Sequence, residues 1–179
     1  MAIPASETSS PNVSFERERG VYALQITRDV AHAVISVGDD AQRNSRILLV
    51  FRVLADADVP VFLIKMHRTA VTLAVAGADL DKAEGALASA GLKTRPRRDL
   101  AIIAVRAASM RDLHGVMVEI ADAVYSAGAR LCEIGDSHNS VQCLVEADHV
   151  PQAVERLRQT FDLSAQDISE VGVAAEEES

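Results

Sequence analysis

Hydrophobic positions along the chain follow two rhythms, one of period two and one of period three to four, and the rhythms alternate. Val30–Val37 (VAHAVISV) is rich in β-branched residues and reads as a strand. Ser45–Ala57 follows with Ile47, Val50, Phe51 and Leu54 at the spacing of one helical face. Pro60–His67 and Ala70–Ala76 read as two strands close enough for a hairpin around Arg68 and Thr69. Asp79 stands where it could cap a helix running to Ala90, with Leu80, Ala83 and Leu87 inward and Gly91 as the stop. The order then repeats. Leu100–Arg106 is a strand, and Asp112 precedes a helix carrying Val116, Ile120 and Val124 that Gly128 ends. Leu131–Ser137 and Val141–Glu146 form a second hairpin candidate, and Asp148 precedes a helix with Val150, Val154, Leu157 and Phe161.

Each unit therefore reads β-α-β-β-α, the order of the ferredoxin-like α+β unit, whose full form ends in one more strand. Lys93–Pro96 can close the first unit. The second has no closing strand of its own, and Val21–Thr27, standing before the first unit, can complete it. The expected fold is α+β: two interleaved ferredoxin-like units (βαββαβ), antiparallel sheets with helices on one face. Residues 28–97 would form the first unit and 98–163 the second, completed by strand 21–27. Residues 1–20 read as a flexible leader and 164–179, ending in AAEEES, as an acidic tail.

The hairpins predict faces. With Arg68 and Thr69 as the turn, Met66, Ile64 and Phe62 oppose Val71, Leu73 and Val75 on the face under the helices. Val61, Leu63, Lys65, Thr72 and Ala74 form the other face, which is apolar enough to pack against a dimer mate or a partner protein. In the second hairpin Cys143 opposes Ile134 and Cys132 opposes Val145, so both thiols should point into one apolar face as buried structural cysteines. His32, among Ala and Val, reads as a satisfied strand histidine. The run Lys93–Arg98 reads as a solvated connector or a contact for an acidic partner.

Composition removes several functions. A formal charge of −8 opposes docking on nucleic acid or an anionic membrane. Six aromatic residues, none of them Trp, leave few platforms for stacked bases. No apolar run approaches the ~20 residues of a membrane span. The start of the chain has no export signal, and with two cysteines this points to a reducing, cytoplasmic setting. No phosphate loop, dinucleotide fingerprint, nucleophile elbow or zinc-ligand spacing is present, so neither catalytic residues nor a metal or cofactor is expected. The Asp39-Asp40 pair could do acid–base work, or simply favour the positive start of a helix. What remains is the pair of loops that lead from each unit's first strand into its first helix, Gly38–Ser45 (GDDAQRNS) and Ala107–Gly115 (AASMRDLHG). Free backbone N–H groups at a helix start suit a carboxylate, including that of an amino acid.

The stretch Val21 to Leu163 resembles the tandem ACT regulatory region of aspartokinases. The likeness is carried by ITRDVAHAVISV (Ile26–Val37), FRVLADADVPVFLI (Phe51–Ile64), SMRDLHGVMVEIADAVYSAGARLCEI (Ser109–Ile134) and AVERLRQTFDL (Ala153–Leu163). It implies a regulatory protein without enzymatic activity of its own, a small amino acid or similar carboxylate bound between ACT units, allosteric control, and a homodimer working with an amino-acid-biosynthesis enzyme. The family's first effector loop, D-R-P-G, reads Gln42-Arg43-Asn44-Ser45 here. Its polar residues on the next strand correspond to Pro60, Phe62 and Met66, a more apolar pocket or simply core. The second loop keeps Met110, Arg111 and Gly115, with Asp112 and His114 replacing Ser and Pro, and the family's Asn is Arg130. The implied ligand contacts are therefore Gln42, Arg43, Asn44, Ser45, Met110, Arg111, Asp112, Gly115 and Arg130. The alternative is a ligand-free dimerisation scaffold or a regulatory subunit of an aspartokinase-like enzyme.

Overall fold

The computed structural model describes residues 20–109 and 114–172. In chain order the elements are β1 (Val21–Ser36), α1 (Arg43–Asp56), β2 (Leu63–Met66), β3 (Ala70–Ala76), α2 (Leu80–Ser89), β4 (Thr94–Ala107), α3 (Val116–Ser126), β5 (Leu131–Asp136), β6 (Ser140–Glu146), α4 (Val150–Thr160) and β7 (Ile168–Val171). The seven strands make one sheet, in the order β2-β3-β1-β4-β6-β5, with β7 beside β1. Every pairing is antiparallel except that of β1 with β7.

The two expected units are interleaved through β1 and β4. Val21–Thr27 and Val30–Ser36, separate strands in the sequence reading, are one strand. Its first part pairs with β4 from Ile102 to Ala107, and its second part pairs with β3 and with Thr94–Arg97. The basic run 93–98 is thus mostly strand, not a connector, and Arg97 and Arg98 are paired with the chain's own Glu146 and Asp81. The register shifts where Asp29 and Asp99 adopt left-handed backbone, with φ of 56° and 58°. Asp tolerates this conformation because its short polar side chain can bond locally. The expected tail also contains structure, since β7 lies within 164–179.

Helices cover one face of the sheet in two cores. Ile47, Val50 and Leu54 of α1 and Leu80, Ala83 and Leu87 of α2 pack on Ile35, Val71, Leu73 and Val75. Val116, Ile120 and Val124 of α3 and Leu157 of α4 pack on Leu24, Ile103, Val105 and Cys143. Phe51, expected on the inward stripe, is 38% exposed, because the stripe of α1 is centred on Ile47, Val50 and Leu54. Ile64 and Met66 oppose Leu73 and Val71 as expected, but β2 is an edge strand beyond the reach of the helices, and both are exposed.

The other face departs most from expectation. It curls on itself, so that the apolar face assigned to a partner is covered within the chain. Val30, Ala74, Leu100, Ile102 and Leu144 form a third buried cluster, with Phe62, Leu63 and Cys132 against it. The edge strands β2 and β5 close over it. A Cβ added at Gly135 of β5 would collide with the Leu63 side chain of β2. Phe62 therefore sits on this inner face and not under the helices. A bulge between Leu131 and Glu133 separates the cysteines: Leu131, not Cys132, opposes Val145, and Cys132 turns to the inner face while Cys143 stays under the helices. An inserted residue reverses the parity of every side chain before it, which the sequence pattern alone does not reveal.

Candidate ligand site at the helix starts

The first loop is held by its own charges. Gln42 is the N-cap of α1 but makes no side-chain capping bond. Its backbone N–H donates to Asp40 Oδ1 at 2.8 Å, and Arg46 donates to both Asp40 oxygens at 3.1 Å. A carboxylate of the chain itself thus sits beside the helix start, where the sequence suggested a ligand carboxylate. The Arg46 guanidinium, then the Gln42 N–H, hold the Asp40 carboxyl below its ordinary range. Arg46 also donates to the Val37 carbonyl at 2.8 Å and lies over Gly38, whose φ of +69° is one that side-chain-bearing residues rarely adopt. Asp39 pairs with Arg68 at 2.9 Å.

Arg43 is spent on the neighbouring turn. Its Nε and Nη2 donate to the carbonyls of Arg68 and His67, each at 2.8 Å, and Nη1 reaches Asn44 Oδ1 at 3.3 Å. The structure therefore joins Arg43, and Asn44 through it, to the β2–β3 turn, while Gln42 is tied to Asp40 and Arg46. Ser45 lies inside the first turn of α1. Gly115 is instead the N-cap of α3, with φ of +82°, and its carbonyl accepts from Val118 and Glu119. Met110, Arg111 and Asp112 lie outside the described residues. Arg130 is exposed just before β5, and no hydrogen bond or ion pair among the described residues links its side chain to Gln42–Ser45.

A second polar assembly, absent from the sequence reading, lies on the inner face. His32 Nε2 is 2.7 Å from Glu133 Oε2, and the two side chains are 11% and 6% exposed. Thr72 donates to Glu133 Oε1 at 2.6 Å and meets His67 Nε2 at 3.2 Å. Burial works to raise the Glu133 carboxyl, but the bonds from His32 and Thr72, with the charges of His32 and Lys65, outweigh it and hold the group below its ordinary 4.5. This network ties β1 and β3 to β5. His32 is the satisfied histidine the sequence suggested. Glu133 keeps the register expected from the turn, opposite Leu144 on the inner face; it was missed because that face was read as a partner surface, with no sign that His32 and Thr72 would meet it there.

Beside it, Arg97 Nη1 is 3.1 Å from Cys132 Sγ and pairs with Glu146. Burial raises the Cys132 thiol despite the nearby charges of Arg97 and Arg130. Burial alone pushes Cys143 up to about 12. Neither thiol is poised as a nucleophile. No cluster of three or more His, Cys, Asp or Glu side chains suited to a metal occurs among the described residues, and none of their helices is long and apolar enough to cross a membrane.

No family model and no curated protein matches the sequence. Solved structures do match by shape. The regulatory subunit of aspartate kinase from Thermus thermophilus superposes with a TM-score of 0.70 at 21% identity, covering 80% of this chain and 99% of that one. A structure of aspartokinase α and β subunits gives 0.74 at 18% identity, covering 80% and 100%. Aspartokinase III of E. coli, solved with lysine and aspartate, gives 0.66 at 16%, covering 83% of this chain and 34% of that one. The chain thus has the interleaved tandem ACT fold of aspartate kinase regulatory subunits.

Proposed function

We propose that the protein is a non-catalytic regulatory protein of the ACT type, built of units 28–97 and 98–163 with 21–27 completing the second. It senses an amino acid and acts allosterically, as a cytoplasmic homodimer or on an amino-acid-biosynthesis enzyme. The observation that carries this reading is the near-complete overlap with a free-standing regulatory subunit, 80% of one chain on 99% of the other. The binding residues in this reading are Gln42, Arg43, Asn44, Ser45, Met110, Arg111, Asp112, Gly115 and Arg130. Lysine bound to aspartokinase III supports the ligand class. Binding shifts a population only by its differential affinity for two arrangements, so the effector must reorganise a contact that the free protein already makes. The Asp40–Arg46 pair is such a contact, since an effector carboxylate competes with Asp40 for the same donors.

The same pair favours a second reading, a ligand-free scaffold or partner subunit whose helix start is permanently closed by Asp40. A thermal-shift screen against the twenty amino acids separates the two. A sensor gains ~2.7 kcal/mol at a hundredfold excess over Kd. The gain should disappear in Arg43→Ala/Asn44→Ala or Arg130→Ala. Absence of any shift, including in Asp40→Asn where the donors are freed, rejects the sensor and leaves the scaffold.

A further inference from the structure

The repeat gives the sheet two equivalent edges, and the chain protects them in different ways. Arg28-Asp29 of β1 and Arg98-Asp99 of β4 mark the same point in the two halves, where the register shifts and the Asp is left-handed. The segments before them, 24–27 and 94–97, are therefore counterparts. No strand among the described residues lies on the outer side of 94–97. There the Ser36 N–H donates to the Lys93 carbonyl, so Lys93 and Arg95 turn their backbone groups to β1, and Thr94 and Pro96 turn theirs outward. Pro96 offers no N–H, and Lys93, Arg95 and Arg97 add charge, which are common defences of a bare edge. Residues 21–27 (VYALQIT) hold neither proline nor charge. Their edge is covered instead by β7, which pairs in parallel from Leu24 with Ile168 to Thr27 with Val171.

The cover is held lightly. β7 has four residues, and among the described strands it pairs with β1 alone. Ile168 packs against the helix-side core, while Ser169 and Glu170 are exposed. The Arg28–Glu170 ion pair, at 2.8 Å, joins side chains 43% and 59% exposed, so it contributes little. Beneath β7 the edge is firm, since Leu24 and Ile26 are buried and the segment is paired with β4 on its other side. Departure of β7 thus leaves an ordered strand with open N–H and C=O groups. We propose that 24–27 is a strand-docking surface, occupied in the isolated chain by its own β7 and open to the β7 of a second copy. A second copy fits because its Ile168–Val171 brings the same register and the same Glu170 for Arg28. Residues 161–167 join α4 to β7 and act as the hinge. Each partner gives and receives one strand, so the exchange closes a two-fold pair. Neither the helix-start loops nor an effector takes part.

The test mixes two full chains, one carrying Gln25→Cys and the other Ser169→Cys, which are partners in the ladder. Both carry Cys132→Ala, so the one native thiol left is the buried Cys143. A disulfide needs Cα atoms within ~7 Å, so it joins the two chains where β7 of one lies on the edge of the other. A short tether gives the chain's own β7 an effective concentration in the millimolar range, so exchange should become visible as the mixture approaches ~1 mM. Mild oxidation is expected to give a cross-linked dimer on a non-reducing gel. Its yield should rise with concentration and fall when Glu170→Lys is added to the Ser169→Cys chain. A single chain with both cysteines should close within itself. Because Gln25 also accepts from Arg106, Thr27→Cys with Val171→Cys repeats the test at the next pair on that face. If the double-cysteine chain closes while the mixture gives no dimer, or gives one that Glu170→Lys does not reduce, the edge belongs to the chain's own β7 and the proposal is overturned. Failure of both double-cysteine chains to close overturns it equally, because β7 would then not lie on this edge.

Discussion

The inner face of the sheet has two halves that treat charge in opposite ways. Around β3 and β5 an acid is enclosed by partners: Glu133 meets His32 and Thr72, with Lys65 nearby. Around the first part of β1 and β6 a cation, Arg106, keeps one buried donor unmet. Both halves lie on the same curled strands and are screened by similar apolar residues, so burial alone does not separate them. What differs is whether the chain brings an opposing group across the fold. In the first half the closing edge strand carries it. In the second no described side chain meets the buried Nε. A saturated network fixes a geometry, whereas an unmet buried donor leaves its desolvation cost uncompensated.

The largest effect should come from removing the acid of the closed half. Glu133→Ala is expected to cost about 3 kcal/mol, because His32 and the Thr72 hydroxyl lose their buried partner. His32→Ala should cost much less in that background than in the parent, and chemical denaturation of the four proteins of this cycle measures the coupling. Additive losses would break the comparison. The same pair sets a pH dependence. Glu133 ionises below its ordinary 4.5 in the fold, so it contributes stability above that value, and this is lost as the pH falls through its folded-state value. Glu133→Gln should flatten the acid side of the stability curve, as read by melting between pH 3 and 7.

Next in size is the closure itself. Gly135→Ala should cost ~1–3 kcal/mol by driving a methyl into Leu63, and Leu63→Ala should recover part of that loss. Recovery sharpens the view that β2 and β5 hold the inner face shut. The cysteines then compare the two faces directly. A thiol reagent should label Cys132 before Cys143, which reacts only on unfolding. Because Cys143 is raised from 9.0 to about 12 in the fold, its contribution to stability is full below pH 9.0 and declines as the unfolded chain begins to ionise above it. Cys143→Ala should remove that alkaline decline. The smallest effect belongs to the left-handed residues that end α1 and α4, Asp58 and Asp162, with φ of 49° and 50°. Asp58→Gly should gain up to ~1 kcal/mol by relieving Cβ strain, less the entropy that glycine adds to the unfolded chain.

The helices were legible because their buried residues recur at a single period: Leu80, Ala83 and Leu87, or Val116, Ile120 and Val124. The assignment of Val21–Thr27 to the second half followed from counting strands; in the structure that segment lies between β4 and β7. The inner face was not legible. Alternation reveals that a strand has two faces but not whether the second meets water, a partner or another part of the same strand order. The bulge before Glu133 then moved Cys132 out of the expected parity, while Glu133 kept its place opposite Leu144. At the helix starts the sequence located the loop, yet it could not show that Asp40 folds back onto Gln42 and Arg46, because that depends on where the loop turns.

The sharing of β1 between both halves has a consequence for synthesis. The segment Val21–Thr27 leaves the ribosome first among the described strands, but its antiparallel partner in β4 extends to Ala107. At ~5–20 residues per second, roughly 4–16 s separate the two. During that interval the second part of β1 can pair with β3, while the first part waits with unpaired backbone groups. The nascent chain thus carries an open segment that is covered on one side when β4 emerges and on the other only when β7 follows, and that interval is when a holding chaperone would matter most to this protein.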